Sequence, residues 1–338
     1  MLKRNRKYVF IGVVLFVIAV AVSAYLIASR SYTSLETIAI KTSIPFEATC
    51  HDWVSDTEIL LAIPDRQSSL LTINKFNVTS RTIQNLEGVT HKIASLPKED
   101  GITYIESLSP DGEWLLCTGW QGRAHARYAV SMSGSSYLRF DPGSVLHDGI
   151  WFPDSRRWAA QSGFGSPVSL TTFPCNNKEA PSEYRFPVDM DMPHFMGFAR
   201  NGNAVIADYW ISEYYEKVVV CQYKYGTQQK IRQDTVAFPF RGVMAGMTID
   251  PHGDRMLWQL EVEWDQTHPA WLRHVLRYLR RSKAGKSVTL FYLCGMNGSD
   301  GKIIGYVDST EVENPHWLPS GKTMSFVVGK SLWVVPVP

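Results

Sequence analysis

The chain has little sulfur chemistry to offer. Its cysteines, Cys50, Cys117, Cys175, Cys221 and Cys294, are scattered, odd in number and never in a CxxC pair. That spacing excludes a disulfide framework and a zinc pattern, which need clustered or paired thiols. The thiols read instead as buried, reduced, small apolar side chains. No G-x-S-x-G elbow, H-E-x-x-H helix, EF-hand loop or dinucleotide glycine fingerprint occurs, so the commonest hydrolase, metalloprotease, calcium and dinucleotide sites have no sequence basis. AGKS (284–287) lacks the preceding glycine and the spacing of a phosphate loop. An excess of one charge is missing too. Lys and Arg total 34 against 32 acids, a net charge of +2, and a nucleic-acid binder needs a broad basic face. No cofactor and no nucleic-acid partner are expected.

What is present is apolar and rich in turns. Hydrophobic residues make up 45% of the chain, enough for a large core. Lys3, Arg4, Arg6 and Lys7 precede an uncharged run from Tyr8 to Ala28. Twenty-one residues at about 1.5 Å each cross a hydrocarbon layer of roughly 30 Å. The basic residues before the run place the N-terminus in the cytoplasm. The expectation is a cytoplasmic tail over 1–7, a transmembrane helix over 8–28 and an extracytoplasmic domain over 34–338, as in a single-pass protein of a bacterial inner membrane facing the periplasm or the outside. A cleaved signal peptide is the alternative, and it sends the domain to the same side.

A short pattern recurs through that domain. The stretch SLSPDGEWLLC (107–117) falls into register with DWVSDTEILL (52–61), GIWFPDSRRWAA (149–160), GFARNGNAVIA (197–207), TIDPHGDRMLW (248–258) and HWLPSGKTMSF (316–326). The aligned turn residues are Asp56, Asp111, Asp154, Asn201, His252 and Ser320, spaced by 55, 43, 47, 51 and 68 residues. Three positions before each stands a large apolar side chain, from Trp53 to Trp317, and four positions after stands another. Proline pre-sets φ for a tight turn, Asp or Asn bonds the nearby backbone, and Gly112, Gly202, Gly253 and Gly321 tolerate positive φ. Six such units, none able to bury both faces alone, must pack in series or as a ring.

This pattern resembles the WD40-like (PD40) repeats of TolB-type β-propellers, best at Asp111 and Gly112. The resemblance implies an all-β, six-bladed propeller. The expected blades cover 43–90, 98–142, 144–189, 191–235, 240–308, and 311–338 joined by 34–41, the last closing the ring and removing free edges. An all-β sandwich is the competing architecture. The order of tail, span and propeller is also similar to the front part of membrane-bound dipeptidyl peptidases, without their hydrolase domain.

Three features break the repeat. Residues 265–286 hold Leu272, Val275, Leu276 and Leu279 at helical spacing together with Arg273, Arg277, Arg280, Arg281, Lys283 and Lys286. They read as a helical basic insertion that packs on the rim, docks a protein, or lays Trp271 and Tyr278 among anionic lipid headgroups. Tyr209, Trp210, Tyr214 and Tyr215 suit an aromatic binding rim or blade-to-blade filling. His51, His147, His194 and His316 stand near the starts of inner strands, where imidazoles can ligate a transition metal or serve as ordinary loop histidines. The functional expectation is a membrane-anchored binding or scaffold module for a protein, peptide or cell-envelope ligand. The alternative is a channel-mouth hydrolase or lyase, with or without a metal ion.

Overall fold

The structure is a computed structural model that describes Phe16 and residues 32–44, 50–64, 71–97, 102–121, 124–140, 149–162, 167–176, 179–190, 193–209, 214–263 and 287–338. β1 (Ile40–Ser43) comes first, after a 3-10 turn at Leu35–Thr37. β2 (Cys50–Ser55), β3 (Glu58–Pro64), β4 (Leu71–Asn77) and β5 (Thr82–Asn85) form one antiparallel sheet, followed by helix α1 (Glu87–Ala94). β6 (Ile102–Leu108), β7 (Trp114–Gln121), β8 (Ala124–Ser131) and β9 (Tyr137–Phe140) form a second. β10 (Ile150–Trp151), β11 (Arg157–Ser162), β12 (Val168–Pro174) and β13 (Ser182–Phe186) form a third.

A seven-stranded sheet follows: β14 (Pro193–Phe198), β15 (Ala204–Asp208), β16 (Tyr214–Lys224), β17 (Gln229–Ile249), β18 (Arg255–Glu263), β19 (Ser287–Gly295) and β20 (Lys302–Val307). β21 (Val312–Trp317), β22 (Thr323–Val328) and β23 (Ser331–Pro336) complete the last sheet with β1, which pairs Ile40–Ser43 against Val334–Ser331. The N-terminal edge strand thus covers the outermost C-terminal strand, with 40–43 rather than 34–41 in that position.

The expected six-bladed propeller preceded by a membrane helix is corrected. The described residues form four four-stranded blades and a separate seven-stranded sheet. The cause is β17. It pairs with β16 from Lys224↔Gln229 to Lys217↔Ala237 and again at Tyr215↔Gly242 and Tyr214↔Val243, and its last part, Val243–Ile249, pairs with β18. The expected boundary near 235–240 holds no glycine and only Pro239, which lacks an N–H and sits where the β16 pairing skips to Gly242. The chain remains extended through that point, so no break divides the sheet.

The expected anchor is corrected as well. No helix among the described residues is long and apolar enough to cross a membrane. Residues 8–28 lie outside the described residues except for Phe16, which is helical and exposed. The transmembrane topology, the extracytoplasmic placement and the membrane partner that rest on that anchor are corrected with it.

Burial follows the strand period. In the seven-stranded sheet, Trp258, Leu260, Val262, Val288 and Leu290 are fully buried in one apolar cluster with Val218, Val220 and Phe238. Each such side chain stabilises the fold by about 1.5–3 kcal/mol through its apolar area. Other clusters join neighbouring sheets: Leu60, Ile73, Leu115 and Tyr128 between the first and second, and Leu257, Phe291, Phe326 and Trp333 between the seven-stranded and last.

Candidate functional site

The turn motif shapes one end of the inner strands. Asp111 Oδ1 accepts from the Ser109 hydroxyl at 2.6 Å and the Glu113 N–H at 3.0 Å. Asp154 and Asn201 accept from the backbone N–H two residues on. Gly112, Gly202, Gly253 and Gly321 all have φ between 66° and 76°. The turns also touch each other. Asp111 N–H donates to Ser155 Oγ, Arg200 N–H to the Gly253 carbonyl, and Ser320 N–H to Asp56 Oδ1. His252 Nε2 lies 3.2 Å from the Ser320 carbonyl. Asp56 therefore caps its neighbour's turn rather than its own. Cys175 lies near Asp111 and Asp154; burial first, then those two carboxylates, pushes its thiol up to about 12, so it is an inert thiol.

A second set of polar side chains pins each sheet to the next. Asp52 accepts from Leu108 N–H at 2.7 Å. Glu106 Oε2 accepts from Gly149 N–H at 2.6 Å, while its Oε1 meets Arg127 Nε at 2.6 Å and accepts from the Thr118 hydroxyl. Gln161 donates to the Pro193 carbonyl and accepts from Phe195 N–H. Gln259 donates to the Val312 carbonyl, and Trp53 Nε1 to Ser325 Oγ. These five contacts run from sheet to sheet until the last meets the first. Sequence reasoning missed them all. A signal was present, since Thr118, Gln161 and Gln259 each stand seven positions after a turn residue, polar within apolar strands.

The inner strands enclose a central cavity of about 540 Å³. Five of its walls come from β6, β10, β14, β17 and β21. Its shape comes from β-bulges. Pairing skips a residue between Ile105 and Ser107, Phe195 and Gly197, and Met244 and Gly246, and skips two between Glu313 and His316. The skipped residues, Glu106, Met196, Ala245, Asn314 and Pro315, all line the cavity. A bulge re-aims side chains out of the pleat, which is why bulges gather beside functional sites. Asn314 has φ 50°, one of the few non-glycine residues in the left-handed region. A second cavity of about 430 Å³ adjoins the first through Ala245, Gln259, Asn314 and Pro315 and carries Glu261 on its wall.

The described members of the expected residue groups occupy different settings. Tyr209 is buried and stacks on His194 with ring centroids 4.8 Å apart; burial pushes its phenol up to about 12. Tyr215 packs half-buried against the core, while Tyr214 is 57% exposed beneath the Arg241 guanidinium. Trp210 lies outside the described residues. His194 is 8% exposed on β14, and burial lowers its pKa against the raising effects of the Tyr209 backbone and Asp208. His316 lines the central cavity with Nδ1 4.0 Å from Asp52 Oδ1. The His51 side chain and His147 lie outside the described residues. Among the described residues no group of three or more His, Cys, Asp or Glu is placed to hold a metal ion. The insertion at 265–286, with Trp271, Arg273, Arg277, Tyr278, Arg280 and Arg281, also lies outside them.

No family model matches the chain, and no curated protein matches its sequence. Among solved structures the fold is similar to TolB from Acinetobacter baumannii, with TM-score 0.50 and 12% identity over 86% of this chain and 66% of that one. This chain therefore spans just under two thirds of that TolB. An oligogalacturonate lyase in complex with manganese gives TM-score 0.51 and 12% identity, over 91% of this chain and 96% of the other. At such identities the likeness is one of fold. Membership of a membrane-anchored TolB-type family, expected from the repeat, is corrected to that resemblance.

Proposed function

We propose that the protein is a non-enzymatic binding module that takes part of a protein or peptide ligand into the central cavity. The observation that carries this reading is the state of the cavity wall. The wall is concave, of ligand size, and mixed in character, and its two carboxylates are already engaged. Glu106 is held by Arg127, Thr118 and Gly149, and Asp250 by Arg255 Nε at 3.0 Å and two backbone N–H groups. Paired carboxylates of this kind serve as struts. A hydrolase or lyase that used either of them as its general acid or base would first have to break those contacts.

Gly246 offers a direct test. A Cβ there would meet only Gln259 Oε1, at 3.9 Å, so a side chain can grow into the cavity without displacing backbone. Peptides selected from a random display library against the full chain are titrated by calorimetry into wild type and Gly246→Trp. The expected result is a loss of at least about tenfold in affinity, roughly 1.4 kcal/mol, with unchanged thermal stability. Equal binding to both proteins would place the site elsewhere.

A further inference from the structure

The charge state of the cavity wall also limits what enters it. From the bookkeeping of its ionisable groups we infer that the part of the ligand held in the cavity is uncharged, with an apolar face and an amide-like hydrogen-bonding edge. This inference rests on the cavity being the binding site.

The wall carries no lysine or arginine among its described lining residues. Its ionisable members among the described residues are Tyr104, Glu106, Asp250 and His316. The Glu106–Arg127 pair is 1% and 5% exposed, and Asp250 is 1% exposed beside Arg255. Both pairs are internally neutral. His316 faces Asp52 at 4.0 Å. Among the described residues an incoming anion finds no lysine or arginine on the wall, and an incoming cation finds Glu106 and Asp250 with their partners already fixed. Transferring an unpaired charge into such a site costs several kcal/mol, so it is rejected in favour of a neutral isostere.

The remaining lining states what is accepted. Met196 and Met247 place thioethers on the wall beside Ile150 and Ile249, and thioethers favour contact with aromatic rings. Gln259 spends its Nε2 on the Val312 carbonyl, while its Oε1 lies on the Gly246 side, facing the cavity. That oxygen is an acceptor for a ligand N–H. An aromatic ring bearing a carboxamide satisfies both features.

Three isosteric probes separate the possibilities: benzamide, benzoate and benzamidinium, measured by ligand-observed NMR titration against the full chain at pH 7. Benzamide is expected to bind at least about tenfold more tightly than either ion, and Gly246→Trp to abolish its binding. Ala245→Lys, which adds a cation at a bulge position on the wall, is expected to raise benzoate affinity about tenfold and leave benzamide unchanged. If either ion binds as tightly as benzamide and Gly246→Trp blocks it, the neutral-ligand inference is overturned while the cavity reading stands. If none of the three binds, or binding is indifferent to Gly246→Trp, both are overturned.

Discussion

Arg127→Met tests the strut that joins the second and third sheets. The substitution keeps a long apolar stem in place of the guanidinium, which sits 5.6 Å over the Trp158 ring, and removes only the charge and its donors. Glu106 remains 1% exposed, with its Oε1 facing a group that can no longer donate. An exposed ion pair is worth about 1 kcal/mol or less. Stranding one member of a buried pair costs about 3–5 kcal/mol, because the other charge is left in low dielectric. The double variant Glu106→Leu/Arg127→Met removes both charges. Its main remaining loss is the acceptor for Gly149 N–H, about 1–3 kcal/mol. The double variant should therefore be more stable than Arg127→Met alone by about 2 kcal/mol. Urea unfolding followed by tryptophan fluorescence, with the slope held common, reads both values. A cost below about 1 kcal/mol for Arg127→Met, or a double variant no more stable than Arg127→Met, would refute the argument that this pair is a buried strut.

Three further outcomes follow from the same geometry. Gly253→Ala should cost well above the roughly 1–2 kcal/mol of a left-handed alanine, because its Cβ would overlap the Arg200 backbone. Gly112→Ala, at φ 75° with nothing within 4 Å, should cost only that strain; equal losses by denaturant titration would contradict the packing of the turns. Ser155 stands at φ 58° where four other turns have glycine, yet its hydroxyl accepts from Asp111 N–H at 3.0 Å. Ser155→Ala keeps the strain and loses the bond, so it should be less stable than wild type, and less stable than Ser155→Gly by about 1 kcal/mol; an alanine variant as stable as wild type would deny the bond any weight. His194 has its pKa lowered by burial, so the unfolded chain takes up a proton that the folded protein resists. Stability is then fully present above the ordinary histidine value of about 6.5 and declines as pH falls below it. Melting curves from pH 7.5 to 5 should show a shallower decline in His194→Gln than in wild type, and parallel curves would exclude the histidine as the cause.

The turns were legible in the sequence because they are local. Positive φ at Gly112, Gly202, Gly253 and Gly321 and the backbone bonds of Asp111, Asp154 and Asn201 are demanded by a few consecutive residues. Division of the chain into separate units was less legible. The spacing between Asn201 and His252 matches that of separate blades, yet the strand between them is continuous from Gln229 to Ile249. A unit boundary needs a break in the backbone, and neither a turn signal nor a glycine supplies one between 229 and 241. Tyr209 shows the same limit at the level of one residue. Its neighbours mark it as part of an aromatic loop, but its ring packs inward on His194 and near Trp258, a choice made by strands distant in sequence.

The cavity was illegible for a related physical reason. Its wall is built where pairing slips, and a slip is a relation between two strands rather than a property of either. Within ITYIESL, strict alternation puts Glu106 on the same face as Tyr104 and Leu108, with nothing to mark it apart. The skipped pairing between Ile105 and Ser107 turns it instead toward Arg127 and Gly149. The same holds for Met196, Ala245 and Asn314, none of which belongs to the repeat. Repeating residues hold the sheets in register with one another, so a change there alters stability. Bulge residues face the space left between the sheets, so a change there alters what that space accepts. Sequence periodicity reports the first set by construction and is blind to the second. Binding specificity in this chain is therefore expected to vary at Met196, Ala245 and Asn314 without disturbing Asp111 or the glycine turns.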